Sequence, residues 1–435
     1  MNQAIILAGG KGTRLRSITG DDIPKPMAQV AGKPILQWQI ESLRASGIKK
    51  IILIVGYLGN VIRDFFGDGS AFDVEISYFV EEAPLGTAGA LPLLTEHMDE
   101  DFVLVFGDVI FDVDLHRMEK FHKTKHSEIT LFVHPNTHPF DSDIVITEED
   151  GRVCDINSKH SIRTDWYDNC VNSGLYMMSR SFCKHISGGT KTDLEKDILR
   201  PLARSGGLVY AYSSPEYIKD VGTPERITMA EKEIRSGFVS KRCLKEKQRC
   251  IFLDRDGTIN ELRGLISKAE NLVLEAHAIE AIRLINASGY LAIVITNQPV
   301  VARGMCTEED VIYINNKMKT LLGREGVYLD DVRFCPHHPD KGYPEENPVY
   351  KVACECRKPK IGMITECIQK YNIDTENSWM VGDTTTDVQT GINASMHTAL
   401  VLTGEAGKDR KYPVVPDIVG ENLLAVVKEI LKLKS

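Results

Sequence analysis

At 435 residues the chain has length for two or three domains, and its 43% hydrophobic and 26% charged content is that of an ordinary soluble globular protein. A net charge of −9 argues against an electrostatic nucleic-acid binder, while leaving room for anionic substrates held by local cations or metal ions. The apolar run after Met1 is too short for a secretory signal, no stretch approaches the roughly 20 apolar residues of a membrane span, and ten cysteines lie scattered without a small-domain disulfide pattern; a cytoplasmic enzyme acting on small molecules is expected, with no nucleic-acid or membrane partner and with room for a homo-oligomer.

Residues 1–235 alternate short buried strands (Ala4–Leu7, Lys50–Val55, Phe102–Phe106, Glu128–His134) with helical stretches. Residues 35–46 show helical spacing, with apolar Ile35, Leu36, Ile40 and Leu43. This is the pattern of an α/β fold with a mostly parallel sheet. Residues 236–249 are basic and poor in apolar side chains, and read as a linker or the end of a helix. The alternation restarts with strand 250–254, helix 276–288, strand 291–296, helix 308–322 and strand 378–381. Two Rossmann-like α/β domains are expected, at 1–237 and 249–435, joined by a linker at 238–248. No internal repeat suggests duplication.

Each half opens on a phosphate-handling motif. The first is Leu7-Ala8-Gly9-Gly10-Lys11-Gly12-Thr13-Arg14 after a strand. Its glycines allow close backbone approach and positive φ, and its successive N–H groups can form an anion nest. The second is Asp254-Arg255-Asp256-Gly257-Thr258 after the strand Cys250–Leu253. Two carboxylates at this spacing can divide their work: one attacks phosphorus, the other gives and then withdraws a proton. A Ca²⁺ loop is disfavoured, because position twelve holds Leu265 where an EF-hand needs Glu. His134-Pro135-Asn136-Thr137-His138-Pro139 has two histidines but no carboxylate or thiol at short range to complete a metal site, so it reads as a rigid loop. Asp141-Ser142-Asp143 suggests no chemistry.

Further motifs follow the first in order: Pro24-Lys25-Pro26-Met27, Leu85-Gly86-Thr87-Ala88-Gly89, Phe106-Gly107-Asp108, Asn172-Ser173-Gly174, Glu195-Lys196-Asp197 and Asp220-Val221-Gly222-Thr223-Pro224. Together they resemble the sugar-1-phosphate nucleotidyltransferases across nearly all of residues 1–235. The resemblance implies attack of a sugar phosphate oxygen on the α-phosphorus of a nucleoside triphosphate. It implies Asp108 and Asp220 as Mg²⁺ ligands, Lys25 and Arg14 as the cations on the phosphates, and Gly86 and Thr87 beside the base and ribose. Asn172 and Glu195 would contact the sugar, and Lys159 its phosphate. One departure is local: the family's usual Glu-Lys-Pro is here Ser158-Lys159-His160.

In the second half, Thr296-Asn297-Gln298 ends a strand, Arg357-Lys358-Pro359 precedes a helix, and Gly382-Asp383-Thr384 ends another strand. This resembles the haloacid dehalogenase-like (HAD) phosphatases over residues 249–432. It implies Asp254 as the nucleophile and Asp256 as general acid and then base. Thr296 and Lys358 would hold the phosphoryl oxygens, and Asp254, Asp256 and Asp383 the Mg²⁺ site, with Asp387 in support or merely capping a helix. Cys335, His337, Cys354 and Cys356 offer three thiolates and an imidazole, a closed structural zinc set. By resemblance these are the ligands, with His338 as the less favoured histidine. The other seven cysteines form no such set. The zinc loop and Ala302-Arg303-Gly304 resemble the heptose 1,7-bisphosphate phosphatases, with histidinol-phosphate phosphatases as close relatives. The usual Asn-Gln-Ser-Gly is here Asn297-Gln298-Pro299-Val300. No large cap domain fits between the first motifs, so Asn297, Arg303 and Arg357 face an open pocket and would grip the sugar or a second phosphate.

The first half most resembles the D-glycero-D-manno-heptose 1-phosphate guanylyltransferases. The implied whole is a bifunctional enzyme of GDP-heptose synthesis. Two other readings stay open: a mannose 1-phosphate guanylyltransferase fused to a histidinol-phosphate-type phosphatase, and a protein with one half silent and sensing nucleotide sugar.

Overall fold

The computed structural model describes residues 1–10, 12–342 and 345–432. The chain forms two compact units. The first comprises Met1–His134, Asp143–Ser158 and Cys170–Cys243, and the second Pro135–Ser142, Lys159–Asn169 and Leu244–Ser435. The change of unit between Cys243 and Leu244 falls inside the expected linker, which opens on a helical turn, Phe238–Lys241. Arg242 still donates to the Pro215 carbonyl in the first unit, whereas Leu244 is buried in the core of the second. Two segments expected in the first domain belong to the second unit, for a packing reason. There Trp166 lies against the hydrophobic core beneath Lys317 and Arg324, and Tyr167 and Thr320 exchange two hydrogen bonds of 3.0 Å. Among the described residues no helix is long and apolar enough to cross a membrane.

The first unit is built on a nine-stranded mixed sheet. Gln3–Leu7 is central and runs parallel to Lys50–Val55 on one side and Asp101–Phe106 on the other, with Glu75–Val80 parallel beyond Lys50–Val55. The near-continuous apolar run of Gln3–Leu7 reflects burial on both faces. The far side turns antiparallel. Val171–Ser179 pairs with Asp101–Phe106, Ile129–His134 and Ile144–Thr147; the last pairs with Val153–Asn157. Two apolar clusters, one around Ile6, Leu53 and Val105 and one around Ile5, Leu104 and Leu131, form the core. A separate hairpin-like pair, Val109–Asp112 with Tyr217–Asp220, carries Asp220 back beside Asp108.

The second unit has a fully parallel six-stranded sheet in the order Asp331–Cys335, Leu291–Asn297, Cys250–Leu253, Trp379–Gly382, His397–Val401, Ile418–Gly420. Chain order reverses about Cys250–Leu253: later strands add on one side through Leu291–Asn297 and on the other through Trp379–Gly382. A crevice at the carboxyl ends of such strands is where α/β sheets bind ligands. Asp254, Thr296 and Asp383 all sit there, at the ends of the three central strands or just beyond them.

Candidate active sites

In the first unit the Gly-rich turn leaves Gln3–Leu7 and is tied to the sheet by the Ala8 amide on the Ile54 carbonyl at 2.8 Å. Gly12 takes φ +60, and a Cβ there would stand 2.6 Å from Lys25 Cβ. Glycine is required at that position, because turn and lysine pack together. A Cβ on Gly9 would meet Glu81 Oε2 at 2.8 Å, whereas Gly10 faces open space. Thr13 and Arg14 follow on the short turn Thr13–Leu15; Lys11 lies outside the described residues.

Lys25 stands on the turn Lys25–Met27 and forms an ion pair with Asp108, which follows Asp101–Phe106. Asp220 ends its strand and accepts from the Gly222 amide at 2.6 Å and from Arg226 at 2.5 Å. Gly222 marks the meeting point: a Cβ there would lie 2.8 Å from Asp220 Oδ1, 3.1 Å from Lys25 Nζ and 3.2 Å from Arg14 Nη2. One carboxylate, Asp220, and two cations, Lys25 and Arg14, thus meet at one glycine, and Asp108 joins them through its ion pair with Lys25. A Mg²⁺ ion commonly takes one or two carboxylates and completes its shell with substrate phosphates, and Asp108 with Asp220 suits that habit. Arg226 was not foreseen; its place in the first turn after Asp220-Val221-Gly222 was the available signal.

Gly86 takes φ +78 against the Thr192 carbonyl, which a Cβ would approach to 2.4 Å, and Thr87 Oγ1 accepts the Leu194 amide at 2.7 Å. This clamp places Gly86-Thr87 beside the helical turn that carries Glu195. Asn172 Nδ2 donates to Glu195 Oε1 at 2.5 Å and to the Tyr176 hydroxyl, which itself donates to Glu195 Oε1 at 2.7 Å. Burial, reinforced by Asp143 and Asp193, pushes the Glu195 carboxyl up to about 7. Asn172 and Glu195 are therefore brought together as expected, with Tyr176 as an unforeseen third member. Lys159 is exposed in the turn after Val153–Asn157, in a segment that belongs to the second unit.

In the second unit Lys358 is the hub. Its buried ammonium donates to Asp254 and Asp387, each at 2.6 Å. Burial opposes the charge, but the two carboxylates outweigh it and hold the amine ionised. Asn297, expected on substrate, lines the cavity over the site and also fixes this lysine's backbone: its amide donates to the Lys358 carbonyl and its oxygen accepts the Lys358 N–H at 3.0 Å. Asp387 also receives the Thr384 hydroxyl in a capping box, and is 1% exposed. It is therefore a buried part of the site as well as a helix cap.

Asp254 and Asp256 have different surroundings. Asp256 accepts from the fully buried Arg255, from Asn260 at 3.0 Å and from Gln298 at 2.8 Å. Burial works against ionisation there, but the Arg255 charge and the Asn260 and Gln298 hydrogen bonds hold the carboxyl below its usual range. Asp254 is pushed up to about 6, first by burial and then by Asp387 and Asp256, with Lys358 pulling the other way. Gln298 also donates to Thr296 Oγ1 at 2.9 Å. Asp256 lines the same cavity as Asp254 but is not one of the three clustered carboxylates, Asp254, Asp383 and Asp387. Gly257 (φ +79) and Gly404 (φ +58) press on Asp383, which a Cβ on either would strike. Asp383 Oδ2 accepts the Glu405 amide, whereas its buried Oδ1 has no hydrogen-bond partner among the described residues. Burial, Asp254 and Asp387 push its carboxyl up to about 8. A hard divalent cation would satisfy that oxygen and relieve the crowded charge.

The four predicted sulfur and nitrogen donors also come together. Cys335, Cys354 and Cys356 have Sγ atoms 3.2–3.5 Å apart, and His337 Nδ1 lies 3.4 Å from Cys356 and 3.7 Å from Cys335. These edges suit a tetrahedral ion with bonds of about 2.0–2.3 Å. The cluster leads directly into Arg357, whose guanidinium donates to the His337 carbonyl at 3.0 Å. A cavity of about 650 Å³ opens over the site, lined among others by Asp254, Thr296, Arg357, Lys358, Asp383 and Lys411. Arg303 is not among its lining residues.

Residues 3–237 match the nucleotidyl transferase family, and residues 355–426 the HAD-hydrolase-like family. The chain is 32% identical to the D-glycero-alpha-D-manno-heptose 1-phosphate guanylyltransferase of Aneurinibacillus thermoaerophilus, covering 54% of this chain and 98% of that one. It is 38% identical to the D-glycero-beta-D-manno-heptose-1,7-bisphosphate 7-phosphatase of Pasteurella multocida, covering 43% of this chain and all of that one. It is also 33% identical to the mannose-1-phosphate guanylyltransferase of Mycobacterium tuberculosis, covering 56% of this chain and 67% of that one.

Proposed function

For a chain that belongs to the nucleotidyl transferase family over residues 3–237 and is an enzyme in both halves, we propose two consecutive steps on one sugar. The second unit removes the 7-phosphate of D-glycero-D-manno-heptose 1,7-bisphosphate. The first unit joins the resulting heptose 1-phosphate to GTP, releasing pyrophosphate and GDP-heptose. The carrying observation is that this chain spans 98% and 100% of two relatives named for these two steps.

In the phosphatase step Asp254 attacks phosphorus and the sugar alkoxide leaves. Asp256, held ionised by Arg255, Asn260 and Gln298 in the free site, takes up a proton as the anionic substrate binds, delivers it to that alkoxide and then takes one back from the water that cleaves the aspartyl phosphate. Thr296 and Lys358 hold the equatorial oxygens. Asp254 and Asp383 would hold Mg²⁺, which supplies charge neutralisation at the phosphoryl group. A Zn²⁺ on Cys335, His337, Cys354 and Cys356 would be structural, since four protein ligands leave no open position.

In the transferase step the sugar phosphate oxygen attacks the α-phosphorus. Positioning and neutralisation carry such transfers; Lys25 and Arg14 face the triphosphate, and Asp108 and Asp220 would hold the metal. Glu195, Asn172 and Tyr176 orient the sugar.

The mannose-1-phosphate relative favours one alternative, a mannose 1-phosphate guanylyltransferase beside a histidinol-phosphate-type phosphatase. A substrate panel separates the two. Heptose 1-phosphate with GTP, and heptose bisphosphate, are expected to have the highest kcat/KM. Preference for mannose 1-phosphate and histidinol phosphate would instead establish the alternative.

A further inference from the structure

The loop after His397–Val401 folds back across the phosphatase site and is pinned along its length. The Thr403 hydroxyl donates to the Gly257 carbonyl at 2.6 Å, the Glu405 amide to Asp383 Oδ2 at 2.7 Å, and the Gly407 amide to the Asp383 carbonyl at 2.8 Å. Farther on, Thr385 locks the register. Its hydroxyl donates to Asp409 at 2.7 Å, and its oxygen accepts the amides of Lys411 and Tyr412 at 3.1 and 3.3 Å. Lys411 and Tyr412 then line the cavity above Asp254.

Four Lys and Arg side chains line that cavity: Arg357, Lys358, Lys360 and Lys411. Lys358 is committed to Asp254 and Asp387 and Lys360 pairs with Glu355, whereas Arg357 is anchored on the neutral His337 carbonyl and, among the described residues, makes no ion pair. Among the described residues Lys411 has no ion-pair partner, although its backbone is held in place. An exposed lysine on a loose loop would mean little; one fixed by its own amide at the rim of a phosphatase cavity is pre-organised for an anion.

We propose that Lys411 is a specificity-determining residue that binds the non-reacting phosphate of a sugar bisphosphate while Asp254 engages the other. This rests on the proposed phosphatase function and names the residue on which the preference for two phosphates depends. A charge-assisted contact of this kind is worth about tenfold in apparent affinity.

The test compares KM for heptose 1,7-bisphosphate and for heptose 7-phosphate, read as phosphate release, in the full-length wild type, Lys411→Met and Lys411→Arg. The wild type is expected to favour the bisphosphate about tenfold, Lys411→Met to bring the ratio towards one, and Lys411→Arg to restore most of it. A Lys411→Met ratio equal to the wild type's, or a wild type indifferent to the second phosphate, overturns the inference. Should the wild type reject both heptose esters, the proposed function fails instead. The same ratio is then read with fructose 1,6-bisphosphate against fructose 6-phosphate, where an unchanged Lys411→Met ratio overturns the role of Lys411.

Discussion

At the scale of single residues, Gly222 and Asp331 do opposite kinds of work. A methyl on Gly222 would push on Asp220, Lys25 and Arg14, all flexible ends that can yield. Gly222→Ala should therefore leave the fold intact yet lower nucleotidyl transfer about tenfold to a hundredfold, because small misplacements of charged groups are costly; phosphate release should not change. Asp331 is structural. Burial raises its pKa, but Lys370, Arg333 and the Tyr371 hydroxyl more than offset this and hold it well below the carboxylate range. A depressed folded pKa gives stability that is present above the unfolded value near 4 and lost as pH falls below it. Asp331→Asn should cost about 2 kcal/mol at neutral pH, and denaturant melts should show that gap closing as the pH is lowered past about 4. The candidate carboxylates Asp108, Asp220, Asp254 and Asp383 were legible because each stands at or just beyond a strand end in a motif, and Lys358 because it sits in the Arg-Lys-Pro motif before the helix Gly362–Tyr371. Arg255, Gln298 and Arg226 were not, since spacing reveals a nucleophile but not the partners that orient it.

At the scale of elements, the parallel strands were readable from continuous apolar runs. Lys50–Val55 has the expected bounds, and Gln3–Leu7 and Asp101–Phe106 differ by one residue at the start. The antiparallel strands Ile144–Thr147, Val153–Asn157 and Val171–Ser179 escaped. The first is only four residues long with an exposed second half, the other two carry polar residues at half-buried positions, and the last is broken by a register shift between Asn172 and Tyr176 with Gly174 at φ +77. That irregularity falls where the site needs it, at Asn172. The cysteine loop belongs to this scale too. If Cys335, His337, Cys354 and Cys356 hold zinc, Cys354→Ser or a strong chelator should unpin the stretch before Arg357. Phosphatase kcat/KM should fall about tenfold or more, nucleotidyl transfer should persist, and metal analysis of the purified wild type should find about one zinc per chain.

At the scale of the whole chain, the two phosphate motifs disclosed two active sites, but the extent of the compact units was not legible. Residues 135–142 and 159–169 interrupt the first half in sequence while belonging to the second unit. Nothing in their composition marks Trp166 as a core contact of a distant segment. The order of the proposed steps carries a stereochemical consequence. Removing the 7-phosphate leaves C1 untouched, so both units must accept the same anomer, although the two relatives are named for opposite ones. Phosphate release from the separate α and β bisphosphates should therefore favour the anomer whose 1-phosphate the first unit converts; opposite preferences would break the sequence.

The most direct measurement supplies the full-length protein with D-glycero-D-manno-heptose 1,7-bisphosphate, GTP and Mg²⁺ and identifies products by mass. The wild type should yield phosphate, pyrophosphate and GDP-heptose. Asp254→Asn should cut all three by at least about a thousandfold and recover GDP-heptose when given heptose 1-phosphate, whereas Asp108→Asn should stop at phosphate and heptose 1-phosphate. Phosphate release by the wild type with no nucleotide sugar, or GDP-heptose formed from the bisphosphate by Asp254→Asn, would contradict a two-step enzyme.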